Sequence, residues 1–305
     1  MYYFKQVIDG WESWSEVFNS TDAFRELASA IFKKEGLIIK EDIRNLTPGT
    51  NAVFKAEQYV IKIFVPKESG LDTEYDFIAE LSVMDYIGKK GISAPRIISK
   101  GEIKDKYLFR YIIMECIEGA DAKDVLPFYD LEQKREVVKQ LKATLKKLNQ
   151  PADKLPIKRD LKSQAIHNTR LEGLTSGLIK DLEENVSRQD ITSCVLVHGD
   201  ITGENVLVQS DGQIRLIDFA DCTLAPDYYE LAPIVFELFK GDKDYINEFI
   251  GQQDNDVFLN HLINGLALHD FCGNIIKDYL TRLNIPYNQV KDLKTLRQIL
   301  KANIF

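Results

Sequence analysis

The chain has 305 residues, 45% hydrophobic and 28% charged, enough to bury one large core or two smaller ones, which excludes a disordered chain. Its 39 Lys and Arg against 47 Asp and Glu leave a net charge of -8, which excludes extended contact with nucleic acid or an anionic membrane and would welcome a cationic small molecule. The start carries no basic segment followed by an apolar run, and no stretch approaches the roughly 18 apolar residues that span a bilayer, so a cytoplasmic protein is expected. Cys116, Cys194, Cys222 and Cys272 have no C-x-x-C spacing and read as reduced thiols rather than a zinc site or disulfide framework.

In chain order, Thr21 can cap a helix whose apolar positions Phe24, Leu27, Ala28 and Ile31 share one face, with Gly36 as its stop. From Leu37 the period turns to β: Leu37–Ile43, a turn at Thr47-Pro48-Gly49-Thr50-Asn51, then Ala52–Ala56 and Tyr59–Val65. A helical stretch from about Leu71 to Gly88 follows, then two further strands, Arg96–Ser99 and Tyr107–Cys116. Beyond Glu118-Gly119 the pattern is helical, as in Leu131–Leu148 with Val137, Leu141, Leu145 and Leu148 on one stripe, and again beyond Glu230. The fold class is therefore α+β. A small five-stranded N-terminal lobe with one main helix occupies residues 1–115, residues 1–36 being a helical extension, and a mainly α-helical lobe occupies residues 116–305.

One β interlude, Cys194–Phe219, interrupts the helical half. Asp211-Gly212 signals a hairpin turn; counting outward from a two-residue turn sets Val208 against Arg215, Val206 against Ile217 and Asn205 against Asp218. Paired residues have Cβ atoms about 4.5–5.5 Å apart, so the two side-chain oxygens could reach one hard cation such as Mg²⁺. Asp200 lies in the loop entering this hairpin, where its carboxylate can meet an acceptor hydroxyl.

The run His198-Gly199-Asp200, four residues, Asn205, then Asp218-Phe219 has the order and spacing of a kinase catalytic loop followed by its metal-binding segment. With Gly199 where protein kinases have Arg, the chain resembles the aminoglycoside phosphotransferase and choline kinase family, of protein-kinase-like fold. The Gly49-Thr50-Asn51 loop, Val60-Ile61-Lys62, Glu80 and Tyr229-Glu230-Leu231-Ala232 extend the resemblance over about residues 45–240. It departs from the pattern at Ala220, where Gly is frequent, and at Pro226-Asp227, where Asp-Pro is usual.

The resemblance implies ATP or GTP as donor and Mg²⁺ held by Asn205 and Asp218. Asp200 becomes the catalytic base, and His198 a scaffold of its loop. Lys62, inside an apolar strand, needs an anionic partner; Glu80, on the inward stripe of the next helix, supplies it, leaving Lys62 to hold the α and β phosphates. Gly49, Thr50 and Asn51 would line the phosphates, and the segment Met114-Glu115-Cys116-Ile117 would present backbone to the base, with Glu115 and Ile117 as contacts. Asp227, Glu230, Glu237 and Asp270 are candidate acidic contacts of a small hydroxyl-bearing acceptor, first an aminoglycoside, which would make antibiotic resistance the role. Choline, a sugar, an amino alcohol or a macrolide stay open. A catalytically silent nucleotide-binding scaffold is the competing class, and loss of Lys62, Asp200, Asn205 or Asp218 would have signalled it; all four are present.

Overall fold

The computed structural model describes residues 2–46, 49–71 and 73–305 and divides into two compact units, Met1–Glu118 and Gly119–Phe305. In the first, a short α1 (Trp11–Ser15) precedes α2 (Thr21–Lys34). The α2 cap is Ser20, one residue before the expected Thr21; its hydroxyl accepts the Ala23 N–H at 3.2 Å. Phe24, Leu27, Ala28 and Ile31 are buried together on one face, as their spacing predicts.

Strands β1 (Arg44–Asn45), β2 (Ala52–Ala56), β3 (Tyr59–Ile63), β4 (Ile97–Lys104) and β5 (Leu108–Glu115) form an antiparallel sheet in the order β1-β2-β3-β5-β4, with α3 (Thr73–Lys89) between β3 and β4. The strand expected over Leu37–Ile43 shrinks to β1. The N–H groups of Lys40 and Glu41 donate to the Glu57 carboxylate in the β2–β3 turn, so no neighbouring strand receives them. Phe54, Ile61, Ile63, Phe109, Tyr111 and Ile113 point to one face, where Phe4, Trp14, Phe24 and Leu27 complete the core. Lys62, between Ile61 and Ile63, points to the other face, toward α3.

The second unit begins with β6 (Ala120–Asp121) and α4 (Ala122–Val125), followed by α5 (Leu131–Leu148), α6 (Leu161–Ile166) and α7 (Ser176–Arg188). An Asp130–Gln133 capping box starts α5 at its expected first residue, and its apolar stripe is buried. Strands β7 (Val195–Val197), β8 (Val206–Val208), β9 (Ile214–Leu216) and β10 (Thr223–Ala225) follow; β6-β8-β9 make one small sheet and β10-β7 another. A 3₁₀ turn (Asp227–Glu230) and a π-helical segment (Pro233–Leu238) lead into α8 (Lys243–Ile250), α9 (Asn255–Leu268), α10 (Cys272–Arg282) and α11 (Leu293–Ile304). Among the described residues no helix is long and apolar enough to cross a membrane.

The hairpin register corrects the expectation. Val206 pairs with Leu216, Leu207 with Arg215 and Val208 with Ile214, one residue away from the count based on a two-residue turn. Gln209 N–H bonds Gln213 C=O at 2.9 Å, so the loop is the three residues Ser210-Asp211-Gly212, with Gly212 at φ 80. A three-residue loop with glycine in the left-handed region adds one residue and shifts the partner strand. Asn205 C=O therefore accepts the Ile217 N–H at 3.0 Å, and Asp218 lies one position beyond Asn205's partner.

Candidate active site

In the N-terminal unit Lys62 Nζ lies 2.7 Å from Glu80 Oε2, with both residues almost fully buried. β-alternation turns the lysine off the core face, and the inward stripe of α3 brings the glutamate to it. The ammonium also lies 5.5 Å from the Phe64 ring centroid. Thr47 and Pro48 lie outside the described residues; of the rest of that loop, Gly49 and Thr50 are exposed. The buried Trp14 indole donates to Thr50 C=O at 2.9 Å, and Asn51 Oδ1 accepts the Val65 N–H at 3.2 Å. Asn51 is thus a buried brace whose side chain is directed at the end of β3. The Glu115 N–H donates to Arg96 C=O and its carboxylate accepts the Arg96 N–H, so Glu115 has only its carbonyl to offer a base edge. Ile117 C=O faces the Cys116 thiol.

In the C-terminal unit the loop after β7 is pinned almost wholly through its backbone. His198 is fully buried; its Nδ1 accepts the Asp200 N–H at 3.3 Å, which leaves Nε2 to carry the proton and donate to Ile217 C=O at 3.1 Å. Gly199 sits at φ 81, and a Cβ there would lie 2.7 Å from Asp221 O. That geometry calls for glycine between the histidine and the aspartate. Asn205 Nδ2 donates to Asp200 Oδ2 at 2.6 Å and to Asp200 C=O at 3.0 Å, leaving its Oδ1 as the remaining acceptor. Burial, followed by the nearby Asp221 and Asp218, pushes the Asp200 carboxyl up to about 8, while the Asn205 bond opposes the rise.

Asp218 follows β9 at φ 59, in the left-handed region that few non-glycine residues adopt. Its carboxylate and the Asn205 amide oxygen are both hard donors, and the carboxylates raising Asp200 describe excess negative charge, a setting that fits a divalent magnesium ion. Among the described residues no cluster of three or more His, Cys, Asp or Glu could hold a metal ion, so water and phosphate oxygens would have to complete its shell.

The four acidic acceptor candidates separate. Glu230 is 1% exposed, and its carboxylate accepts the His198 and Gly199 N–H groups, the latter at 3.1 Å. Burial lifts this carboxyl to about 7 despite those donors. Glu237 faces Lys240 at 2.8 Å and Arg282 at 3.9 Å, Asp270 faces Arg170 at 3.4 Å, and Asp227 is exposed. A glutamate amid the apolar run Leu224–Val235 was the available signal for Glu230. Nothing in the sequence marks Trp14 or Gly265, although a Cβ on Gly265 would meet Tyr228 O at 2.0 Å, so only glycine lets α9 approach that turn.

Residues 49–256, more than half of the chain, match the model of a phosphotransferase enzyme family, APH. The chain belongs to this phosphotransferase family. No curated protein matches the sequence. Among solved structures, the GDP complex of aminoglycoside 2'-phosphotransferase-IIIa superposes with a TM-score of 0.62 at 16% identity over 92% of this chain and 98% of that one. An aminoglycoside phosphotransferase of Streptomyces rimosus, APH(3'')-Id, gives 0.56 at 16% over 82% and 98%. Choline kinase LicA of Streptococcus pneumoniae gives 0.55 at 12% over 90% and 99%. The phosphotransferase described here thus has the protein-kinase-like fold.

Proposed function

We propose that this phosphotransferase moves the γ-phosphoryl group of ATP or GTP onto a hydroxyl of a small acceptor, with an aminoglycoside as the first class to test. The observation that carries this reading is the Asp200 carboxylate: half-buried, oriented by Asn205 at 2.6 Å on a loop pinned through its backbone, and raised to about 8. A base of that strength, held rigidly, orients the acceptor hydroxyl and takes its proton. Lys62, held by Glu80, meets the α and β phosphates, and the exposed Gly49-Thr50 segment lies over them. Asn205 Oδ1 and the Asp218 carboxylate would hold magnesium, which when bound offsets the charge of the triphosphate. Glu115 and Ile117 would present backbone to the base.

The acceptor class rests on two supports. Kanamycin and streptomycin occupy complexes of structural neighbours, and the chain is net acidic. Asp227 is then the leading acceptor contact, because Glu237 and Asp270 already face cations of the chain. The test is magnesium-dependent ADP and GDP release from ATP and GTP across aminoglycosides, choline, sugars, amino alcohols and macrolides, with Asp200→Ala as control. Acceptor-stimulated release that the variant loses supports the reading and names the class. Nucleotide binding without release on any acceptor returns weight to a silent scaffold.

A further inference from the structure

The Gly199–Asp200 peptide plane is held at both poles. Its N–H, from Asp200, donates to His198 Nδ1, and its carbonyl, from Gly199, receives Nε2 of His269 at 2.8 Å. His269 is 2% exposed and ends α9; its Nδ1 accepts the Phe271 N–H at 3.2 Å, so Nε2 must carry the proton and act as donor. The two histidines share one arrangement: each accepts a backbone N–H two residues downstream and donates its other nitrogen to a distant carbonyl. The His269 ring also stacks on Tyr229 at 4.6 Å. Burial keeps His269 neutral down to about 4, so the donor persists across the working pH range.

We infer that His269 is a positioning residue for Asp200: it fixes the carbonyl of the peptide from which the base springs and ties that peptide to the α9–α10 junction. The inference rests on Asp200 being the base. Rotation of an unpinned Gly199–Asp200 plane would carry the carboxylate off the acceptor hydroxyl without disturbing Lys62 or Asp218. Misplacement on the scale of an ångström costs turnover, not nucleotide affinity.

Two variants of the whole chain separate positioning from packing. In His269→Gln the amide nitrogen can replace Nε2 as donor to Gly199, whereas His269→Asn can replace only Nδ1. The asparagine variant is expected to lose about 10- to 100-fold in kcat with acceptor KM and Mg-nucleotide affinity within about twofold of wild type, and the glutamine variant to recover most of it. Amide hydrogen exchange over residues 196–205 supplies a readout that needs no turnover: faster in the asparagine variant, near wild type in the glutamine variant. Equal kcat and equal exchange in the two variants overturn the inference, as does a kcat loss that merely follows the drop in melting temperature. If wild type turned over no acceptor, the phosphoryl-transfer reading would fall, while the exchange experiment would still decide whether His269 holds the loop.

Discussion

Glu80 and Glu230 are equally buried, each 1% exposed, yet they are stabilised in different ways. Glu80 meets a side-chain cation, Lys62, at 2.7 Å. Glu230 meets the backbone N–H groups of His198 and Gly199 on the loop after β7. A pair of side chains can be replaced together, whereas a carboxylate bonded to backbone has no partner that substitution can remove. The N-terminal ion pair is therefore repairable in stability, and the C-terminal anchor is not.

Asp200→Ala should give the largest effect and sharpen the contrast between chemistry and scaffold. Turnover should fall by about 10²- to 10⁴-fold, with Mg-nucleotide affinity in a titration largely intact. Its melting temperature should not drop, because burial already disfavours the Asp200 charge.

Glu80→Ala and Glu230→Ala should each lower stability in urea by about 3–5 kcal/mol, the first by stranding a buried ammonium and the second by stranding buried amides. The double variant Lys62→Met with Glu80→Leu should recover most of that loss while remaining inactive. No second substitution should rescue Glu230→Ala, and a side-chain suppressor found by selection would break the comparison.

The pH dependence of His269 comes next. Its ordinary value is 6.5 and its folded value about 4, so between those limits the unfolded chain binds the proton and the fold does not. Stability attributable to the neutral ring is complete above 6.5 and is lost as pH falls toward 4, by on the order of 3 kcal/mol. Tyr229, Asp270 and Arg170 surround the ring and are unchanged in His269→Gln. The margin in melting temperature of wild type over that variant should therefore shrink from pH 7 to pH 4.

Gly199→Ala should cost the least of these, about 2 kcal/mol from its left-handed backbone, with added strain against Asp221 O. A drop in kcat greater than the drop in stability would mark the loop as a part whose position matters more than its packing.

Helix α5 and strand β2 were legible in the sequence to the residue, because a capping box or a turn bounds them and their periodicity is uninterrupted. Residues 37–43 were not, since a side chain, Glu57, takes the N–H groups that a strand would have offered a neighbour. The β8–β9 hairpin was visible as Asp211-Gly212, but its register depended on whether the loop had two or three residues, which the dipeptide does not fix. Lys62 and Glu80 could be matched because a lysine inside an apolar strand calls for an anion and the family resemblance points to Glu80. Glu230 and His269 could not, because their partners are peptide groups, which every residue possesses and no letter of the sequence distinguishes.

The family match begins at residue 49, but the sheet of the N-terminal unit is covered by Phe4, Trp14, Phe24 and Leu27, all upstream of it. A chain shortened to the family boundary would keep every residue assigned a chemical role and lose the lid of its own core. Phe54, Ile61 and Phe109 would then face solvent on an open sheet, the condition under which chains stick to one another. Such a fragment should be recovered as aggregate, so the smallest soluble form of this phosphotransferase is set by that aromatic cover and not by its kinase-like motifs.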